Sequence, residues 1–382
     1  MVIVSIVALA IWIYLVFAHG NFWRGRDGIA LSPEPETWPS VLVVIPARDE
    51  ADLIGTTMAS HMACDYPGEK RIILVDDQSS DGTADIARSA DTGDWPLSVI
   101  EAPALRTGWT GKLWALHYGL QSLEHVPSKY ILFADADIEY APDTLRKMVA
   151  KAEADQLSMV SITARFDSRG FWGGFLMPAF VYFFSQFYPF GRANNPRSDV
   201  AAAFGGCLMV HREIFESAGG IASIRNALID DCTLAKVMKD ADPNSRIHVS
   251  LGKTEVLSLR DNSTFDSIWS MVVRLAFTQL GRSYLSLAGS MLGVVLTYFV
   301  PPIAVLSTPW HGSLIACLAG LGAWALMAFS YLPTIRMYEK PAYHAVFLPF
   351  AAFYYFLMTV TSGIEHFRGN TGLWKGRTYA DL

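Results

Sequence analysis

Between about Val41 and Ala154 the hydrophobic positions fall into short β-rich runs: SVLVVIPA, RIILVDD, LSVIE and YILFADAD. Helical stretches lie between and after them: ADLIGTTMASHMA, GTADIARSA, GKLWALHYGLQSL and APDTLRKMVAKAEAD. Strand and helix in strict alternation predict βαβ units and a mostly parallel sheet, an α/β fold. In such sheets ligands bind beyond the carboxyl ends of the strands, where the strand order reverses. The acidic clusters fall at those ends: Asp76 and Asp77 close RIILV, and Asp135 and Asp137 close YILFA. Two carboxylates separated by one small residue can reach the same cation if the backbone there is extended or turning.

Outside this region the pattern is apolar and long. Met1 to Ala18 is uninterrupted, close to the roughly 20 residues that span a bilayer. Bulky and basic residues follow it (Asn21, Phe22, Trp23, Arg24, Arg26), so residues 1–20 read as a retained anchor rather than a cleaved signal. Arg24 and Arg26 place the next domain in the cytoplasm. Gly170 to Gly191 is also apolar, but a crossing there would put Asp137 and Asp231 on opposite sides of the membrane. It therefore reads as an aromatic-rich interfacial helix. Three further runs, near Leu285 to Ser307, Ser313 to Leu332 and Tyr343 to Gly363, make residues 283–364 a membrane region of two or three spans. Three crossings would leave the basic tail, residues 365–382 with Arg368, Lys375 and Arg377, outside. The positive-inside tendency wants it inside, and Pro301-Pro302 suggests a broken or re-entrant segment.

Composition agrees with a membrane-bound chain, since 52% of its 382 residues are hydrophobic and only 17% charged. A net charge of -6 with no basic stripe argues against nucleic-acid binding. The four cysteines (Cys64, Cys207, Cys232, Cys317) have no paired spacing, which argues against zinc and against a disulfide framework. A P-loop would need glycine at Arg106 and Ser or Thr at Leu113, and no G-x-G-x-x-G follows the first strand. A bound nucleotide would have to be held through carboxylates and a metal.

The strings VVIPARDEADLI, ILVDDQSSDGTADIA, GWTGKLWAL, FADADIEYAPDTL, AFGGCLMVHREIFESAGG and LIDDCTLAKVMK together resemble the inverting family 2 glycosyltransferases of GT-A fold. Among these the chain most resembles the membrane-bound, hopene-associated glycosyltransferases, with ceramide glucosyltransferases more distant. The resemblance runs from the N-terminal apolar stretch to the closing WKGRTY and implies a catalytic domain over residues 38–282.

That resemblance implies a role for each group. Pro46, Arg48 and Glu50 would meet the nucleotide, Asp76 or Asp77 would accept a hydrogen bond from uracil, Asp81 would shape that loop, and Lys112 would lie near the diphosphate. Asp135 and Asp137 would be the D-x-D pair, through which Mg2+ or Mn2+ bridges to the diphosphate. Asp230 and Asp231 stand at the family's Glu-Asp position, with Asp231 the expected general base. The family's Gln/Arg-x-x-Arg-Trp signature is imperfect here: Arg274 is the best-spaced arginine, flanked by Met271 and Leu275, while Gln279 and Arg282 form a second match without tryptophan. The implied partners are a nucleotide-sugar donor, with UDP as its nucleotide, a hopanoid-related lipid acceptor and the bacterial inner membrane. A processive polysaccharide synthase would need more spans and an intact signature. A transporter or scaffold would have no use for acidic clusters at successive strand ends.

Overall fold

The computed structural model describes residues 1–24, 28–90, 95–241, 245–369, 373–374 and 377–378, so Arg26 and Lys375 of the sequence reading lie outside the described residues. The chain divides into two compact units. One is built mainly from Asp27–Phe166 and Arg192–Arg260, the other from Met1–Arg26, Asp167–Gly191 and Asp261–Leu373.

The first unit is organised by a sheet of seven strands: β1 (Val41–Ala47), β2 (Lys70–Asp76), β3 (Leu97–Glu101), β4 (Tyr130–Ala134), then β6 (Met159–Thr163), β7 (Cys207–His211) and β8 (Ile247–Leu251). Two short strands, β5 (Ile138–Tyr140) and β9 (Val256–Ser258), form a separate antiparallel pair. The large sheet runs in the order β3-β2-β1-β4-β7-β6-β8, parallel except where β7 meets β4 and β6. Strands that are apolar on both faces need cover on both faces. Val41, Val43 and Ile45 of β1 join Ile72 and Leu74 of β2 in one apolar cluster, while Leu42 and Val44 join Ile73 and Val75 in the other. Each such fully buried aliphatic side chain stabilises the fold by roughly 1.5–3 kcal/mol.

From β1 the chain proceeds to β2 and β3 on one side and returns to β4 on the other, so the order reverses between β1 and β4. There β1 pairs with β4 only from Val41 to Val44, whereas on its other side it stays paired with β2 to Ala47. Pro46 lies just past the last β1–β4 pair, where its missing N–H costs no ladder bond. A cleft opens at this place, and its floor carries the acidic strand ends.

The second unit is helical. Among the described residues three helices are long and apolar enough to cross a membrane: Tyr284–Leu306, Leu314–Met337 and Ala342–Phe367. Their outward residues, such as Leu285, Leu314 and Phe350, are exposed and apolar. The first of the three continues through Pro301-Pro302 rather than breaking there. A π-helical turn, Val295–Phe299, precedes the prolines, and Val300 N–H bonds to Val295 O. That wider turn supplies the adjustment that residues without an N–H and with a bulky ring demand. The N-terminal helix, Val2–Phe17, has 16 residues and packs on Leu314–Met337, and its Trp12 Nε1 donates to Thr297 O at 2.7 Å.

Gly170–Phe187 is largely buried inside the helical unit. Leu176, Met177, Ala179, Val181 and Tyr182 are buried among the other helices, and Tyr182 Oη lies 2.6 Å from Ser330 Oγ. A helix apolar all round has no wet face to keep, so it sinks into its unit. This helix and Phe265–Gln279, both within the stretch read from sequence as catalytic, pack in the helical unit.

Within the first unit, helix Gly111–Ser122 lies on the sheet so closely that a Cβ at Gly119 would come 2.6 Å from Val75 Cγ2. Gly119→Val should therefore destabilise by about 1–3 kcal/mol through overpacking. A thermal-unfolding midpoint equal to that of the wild type would refute this close approach.

Candidate active site

Every strand that ends at the cleft delivers a charged group. β1 runs into Arg48, Asp49 and Glu50, β2 into Asp76 and Asp77, and β4 into Asp135 and Asp137. The antiparallel β7 starts beside the end of β4, with Ala134 opposite Cys207, so the loop before it brings Gly205 and Gly206 alongside. The helix Asp230–Asp240 points its first turn at the same place. Acidic residues in a first turn are favoured by the helix dipole.

Like charges this dense persist because cations are interleaved among them. Lys112 Nζ lies 2.8 Å from Asp135 Oδ1 and 3.1 Å from Asp230 Oδ2. It ties the end of β4 to the helix Asp230–Asp240. Arg260, two residues after β9, binds Asp137 Oδ2 through Nε at 2.6 Å and Glu50 through Nη2. Arg48 donates to the backbone carbonyl of Asp77 and lies 3.9 Å from its carboxylate. Burial works against a charge on Lys112, but Asp135 and Asp230 outweigh it and hold its pKa above the usual lysine value. Asp135 is itself raised, by burial first, with Lys112 opposing.

Asp231 is held differently. Its Oδ2 accepts from Gly205 N at 3.0 Å and its Oδ1 from Cys232 N at 2.7 Å. Burial, and then the charge of Asp230, push its pKa up to about 6 in spite of those amides. Carboxylate oxygens keep further lone pairs, so Asp231 can still accept a proton. Pro46, Lys112, Asp135, Gly205, Asp230 and Asp231 line one pocket.

The β1 and β2 loops are knitted together by side chains acting on backbone. Asp81 accepts from Ala51 N at 2.9 Å and Thr83 N at 3.0 Å, while Thr83 Oγ1 accepts from Glu50 N at 2.8 Å. Ser80 N donates to Asp49 Oδ1 at 2.9 Å. This network leaves a gap at Asp76: its Oδ2 accepts from Ser79 N, but its buried Oδ1 has no partner among the described residues. An unsatisfied buried acceptor costs about 1–3 kcal/mol. It is therefore a place that an N–H of a ligand would fill.

Residues 42–219 match the family model described as Glycosyl transferase family 2. This stretch, just under half of the chain, is similar to glycosyl transferase family 2 domains. Among curated proteins, the chain is 33% identical over 134 residues to the undecaprenyl-phosphate 4-deoxy-4-formamido-L-arabinose transferase of Edwardsiella ictaluri, which is 35% of this chain and 39% of that protein. It is 30% identical over 111 residues to the succinoglycan biosynthesis protein ExoU of Rhizobium meliloti, covering 29% and 30% respectively. The chain thus spans well under half the length of these relatives. A mannosyltransferase from Pyrobaculum calidifontis, solved in complex with GDP-Man and Mn2+, superposes with a TM-score of 0.54 at 20% identity over 94% of this chain and 99% of that one. The fold is GT-A.

The first unit thus brings together three ion-paired groups, Lys112 with Asp135 and Asp230, Arg260 with Glu50 and Asp137, and Arg48 with Asp77. Asp231 follows Asp230, and Pro46 and Asp76 lie at the ends of β1 and β2. Arg274 is exposed on Phe265–Gln279, which belongs to the helical unit, and Gln279 of that helix donates to Tyr188 Oη. Sequence reading missed Arg260. No motif marks it, because its place depends on β9 pairing with β5, the short strand that follows the D-x-D pair, where Leu259 N donates to Asp137 O at 2.8 Å.

Removing the cation between Asp135 and Asp230 tests the charge arrangement. In Lys112→Met the two carboxylates would face each other unneutralised, and the already raised pKa of Asp135 would rise further. Such groups oppose folding when ionised and cease to do so as pH falls through the raised pKa. The variant should melt below the wild type at pH 7, and the deficit should shrink as pH falls. A melting deficit that does not change with pH would count against the arrangement.

Proposed function

We propose that the protein transfers a sugar from a nucleotide donor to a lipid acceptor by a single inverting displacement. The observation that carries this reading is Asp231, a carboxylate held by two backbone amides with its pKa pushed up to about 6, one residue from the Lys112-linked Asp230. Asp231 removes the proton of the acceptor hydroxyl as that oxygen attacks the anomeric carbon from the face opposite the nucleotide. Asp230 and Lys112 hold the loop, and Lys112 faces the diphosphate. Glu50, Arg48 and Pro46 border the nucleotide, and the unpartnered Asp76 Oδ1 accepts an N–H from its base, as uracil offers. UDP is the donor nucleotide in this reading.

The donor set suits a hard divalent cation. Mg2+ is ordinarily held by one or two carboxylates together with substrate phosphates. Asp135 and Asp137 supply two such carboxylates, and among the described residues no group of three or more His, Cys, Asp or Glu could hold an ion without substrate. These two aspartates would hold Mg2+ or Mn2+, which supplies charge stabilisation to the departing nucleotide diphosphate. The Pyrobaculum calidifontis mannosyltransferase was solved with Mn2+ and a nucleotide sugar.

The three apolar helices support a membrane-bound enzyme, with the catalytic domain on the cytoplasmic face of a bacterial inner membrane. The sequence resemblance favours a hopanoid-related hydroxyl acceptor. The name of the Edwardsiella ictaluri relative favours a second reading, a polyprenyl phosphate. Their chemistries differ at Asp231. A hydroxyl needs a base, whereas a phosphate with its second pKa near 6 is already largely ionised at pH 7.

Asp231→Asn should lower transfer to a hydroxyl lipid by about 10²- to 10⁴-fold, the usual contribution of a positioned base, while donor binding persists. Loss of less than a few-fold, with turnover on a polyprenyl phosphate, would establish the second reading instead. In the wild type, a base must be unprotonated to act, so kcat/KM should fall about tenfold per pH unit below about pH 6. Asp230→Asn removes the like charge beside Asp231 and should move that acid limb to lower pH. Comparing lipid extracts of cells with and without the gene by mass spectrometry would identify the acceptor.

Asp137→Asn should cost orders of magnitude in turnover, since a charge lost in a low-dielectric site is worth several kcal/mol. Excess EDTA should do the same to the wild type. Full activity in EDTA would remove the metal from this reading.

A further inference from the structure

Among the described residues, Arg260 is the cation that grips the second aspartate of the D-x-D pair, and it also holds Glu50. Its backbone position is fixed, because the preceding residue, Leu259, donates to the carbonyl of Asp137 at 2.8 Å and β9 is paired with β5. Its side chain is not walled in, being 45% exposed, whereas the carboxylates it binds are 14% and 7% exposed. The guanidinium can therefore change partners while its Cα stays beside Asp137.

The charges indicate when it would do so. A dication at Asp135 and Asp137 would share the Asp137 carboxylate with a guanidinium already bonded to it, and the two positive charges would repel. A diphosphate changes the balance. It brings more negative charge than the dication neutralises, and its oxygens match the planar fork of an arginine. Glu50 offers a pivot that Arg260 can keep while Nε leaves Asp137.

We infer that Arg260 is a positioning residue that couples the two ligands of the donor site: it opposes metal binding at Asp137 until a nucleoside diphosphate arrives, then turns to the diphosphate. This rests on the glycosyltransferase reading given above, with Asp135 and Asp137 as the metal-holding pair. Its consequence is that bare metal is bound weakly and the metal-nucleotide is bound well, so an empty enzyme does not sequester the ion.

The test is binding, not turnover. On the full chain in detergent, Mn2+ is titrated by electron paramagnetic resonance alone and with saturating UDP, with GDP as a second probe, and UDP is titrated by calorimetry without metal. In Arg260→Gln, Mn2+ alone should bind more tightly than in the wild type, by about 5- to 150-fold, the usual range of such couplings, while UDP alone binds more weakly. The enhancement of Mn2+ binding by UDP should shrink accordingly. A merely structural arginine would give the opposite sign, since disturbing Asp137 would weaken Mn2+ binding. Unchanged or weakened Mn2+ affinity in Arg260→Gln therefore overturns the inference. Arg260→Lys gives a second reading should the Gln variant fold poorly, because a single ammonium cannot hold Asp137 and Glu50 in fork geometry and the coupling should again fall. Mn2+ binding in the wild type that Asp137→Asn leaves unaltered would instead sink the underlying assignment of the metal site.

Discussion

The constraint on which the site depends is electrostatic: Glu50, Asp77, Asp135, Asp137, Asp230 and Asp231 converge on one cleft and must be kept from repelling one another. Lys112, Arg260 and Arg48 do this by standing between carboxylates from different elements rather than beside a single partner. Each cation thereby fixes geometry as well as charge. Lys112 joins the end of β4 to a helix start far along the chain, and Arg260 joins the loop after β1 to the region after β9. Three cations against those six carboxylates still leave an excess of negative charge, the condition in which a divalent cation is welcome.

That electrostatic arrangement needs a rigid floor, and the sheet provides it. β1, β2 and β4 are buried on both faces, so their ends cannot shift without disturbing packed cores. The opening between β1 and β4 follows from the order of strands. Two neighbouring βα crossovers leave in opposite directions there. The loops that flank it are then held by side-chain to backbone bonds from Asp49, Asp81 and Thr83, which use the turn-forming chemistry of short polar residues.

The helical unit follows a different rule. Its helices satisfy their own backbone polar groups, as an apolar surrounding demands, and the π-turn before Pro301-Pro302 is the local adjustment that keeps this true where prolines interrupt the ladder. The burial of Gly170–Phe187 in this unit follows from its lack of a polar face, since an apolar helix gains by removing its side chains from water.

Much of the catalytic unit was legible in the letters. Alternating β and helical periods determine a mostly parallel sheet and place Asp76, Asp77, Asp135 and Asp137 at or just past its strand ends, because local periodicity is set by residues a few places apart. The three long apolar helices are equally local, being a matter of length and composition. Arg260 was not legible, nor was the choice of Asp76 over Asp77 as the acceptor lacking a partner, nor the raised pKa of Asp231. Distant segments decide two of these, through β9 on β5 and Gly205 beside Asp231, while the gap at Asp76 depends on how the turn to Ser79 folds and on its burial. The composition of a loop cannot reveal this, since Coulomb and hydrogen-bond energies depend on distances that only the folded chain sets. The course of the helix through Pro301-Pro302 was also decided in three dimensions, where a single wider turn cost less than breaking an apolar helix.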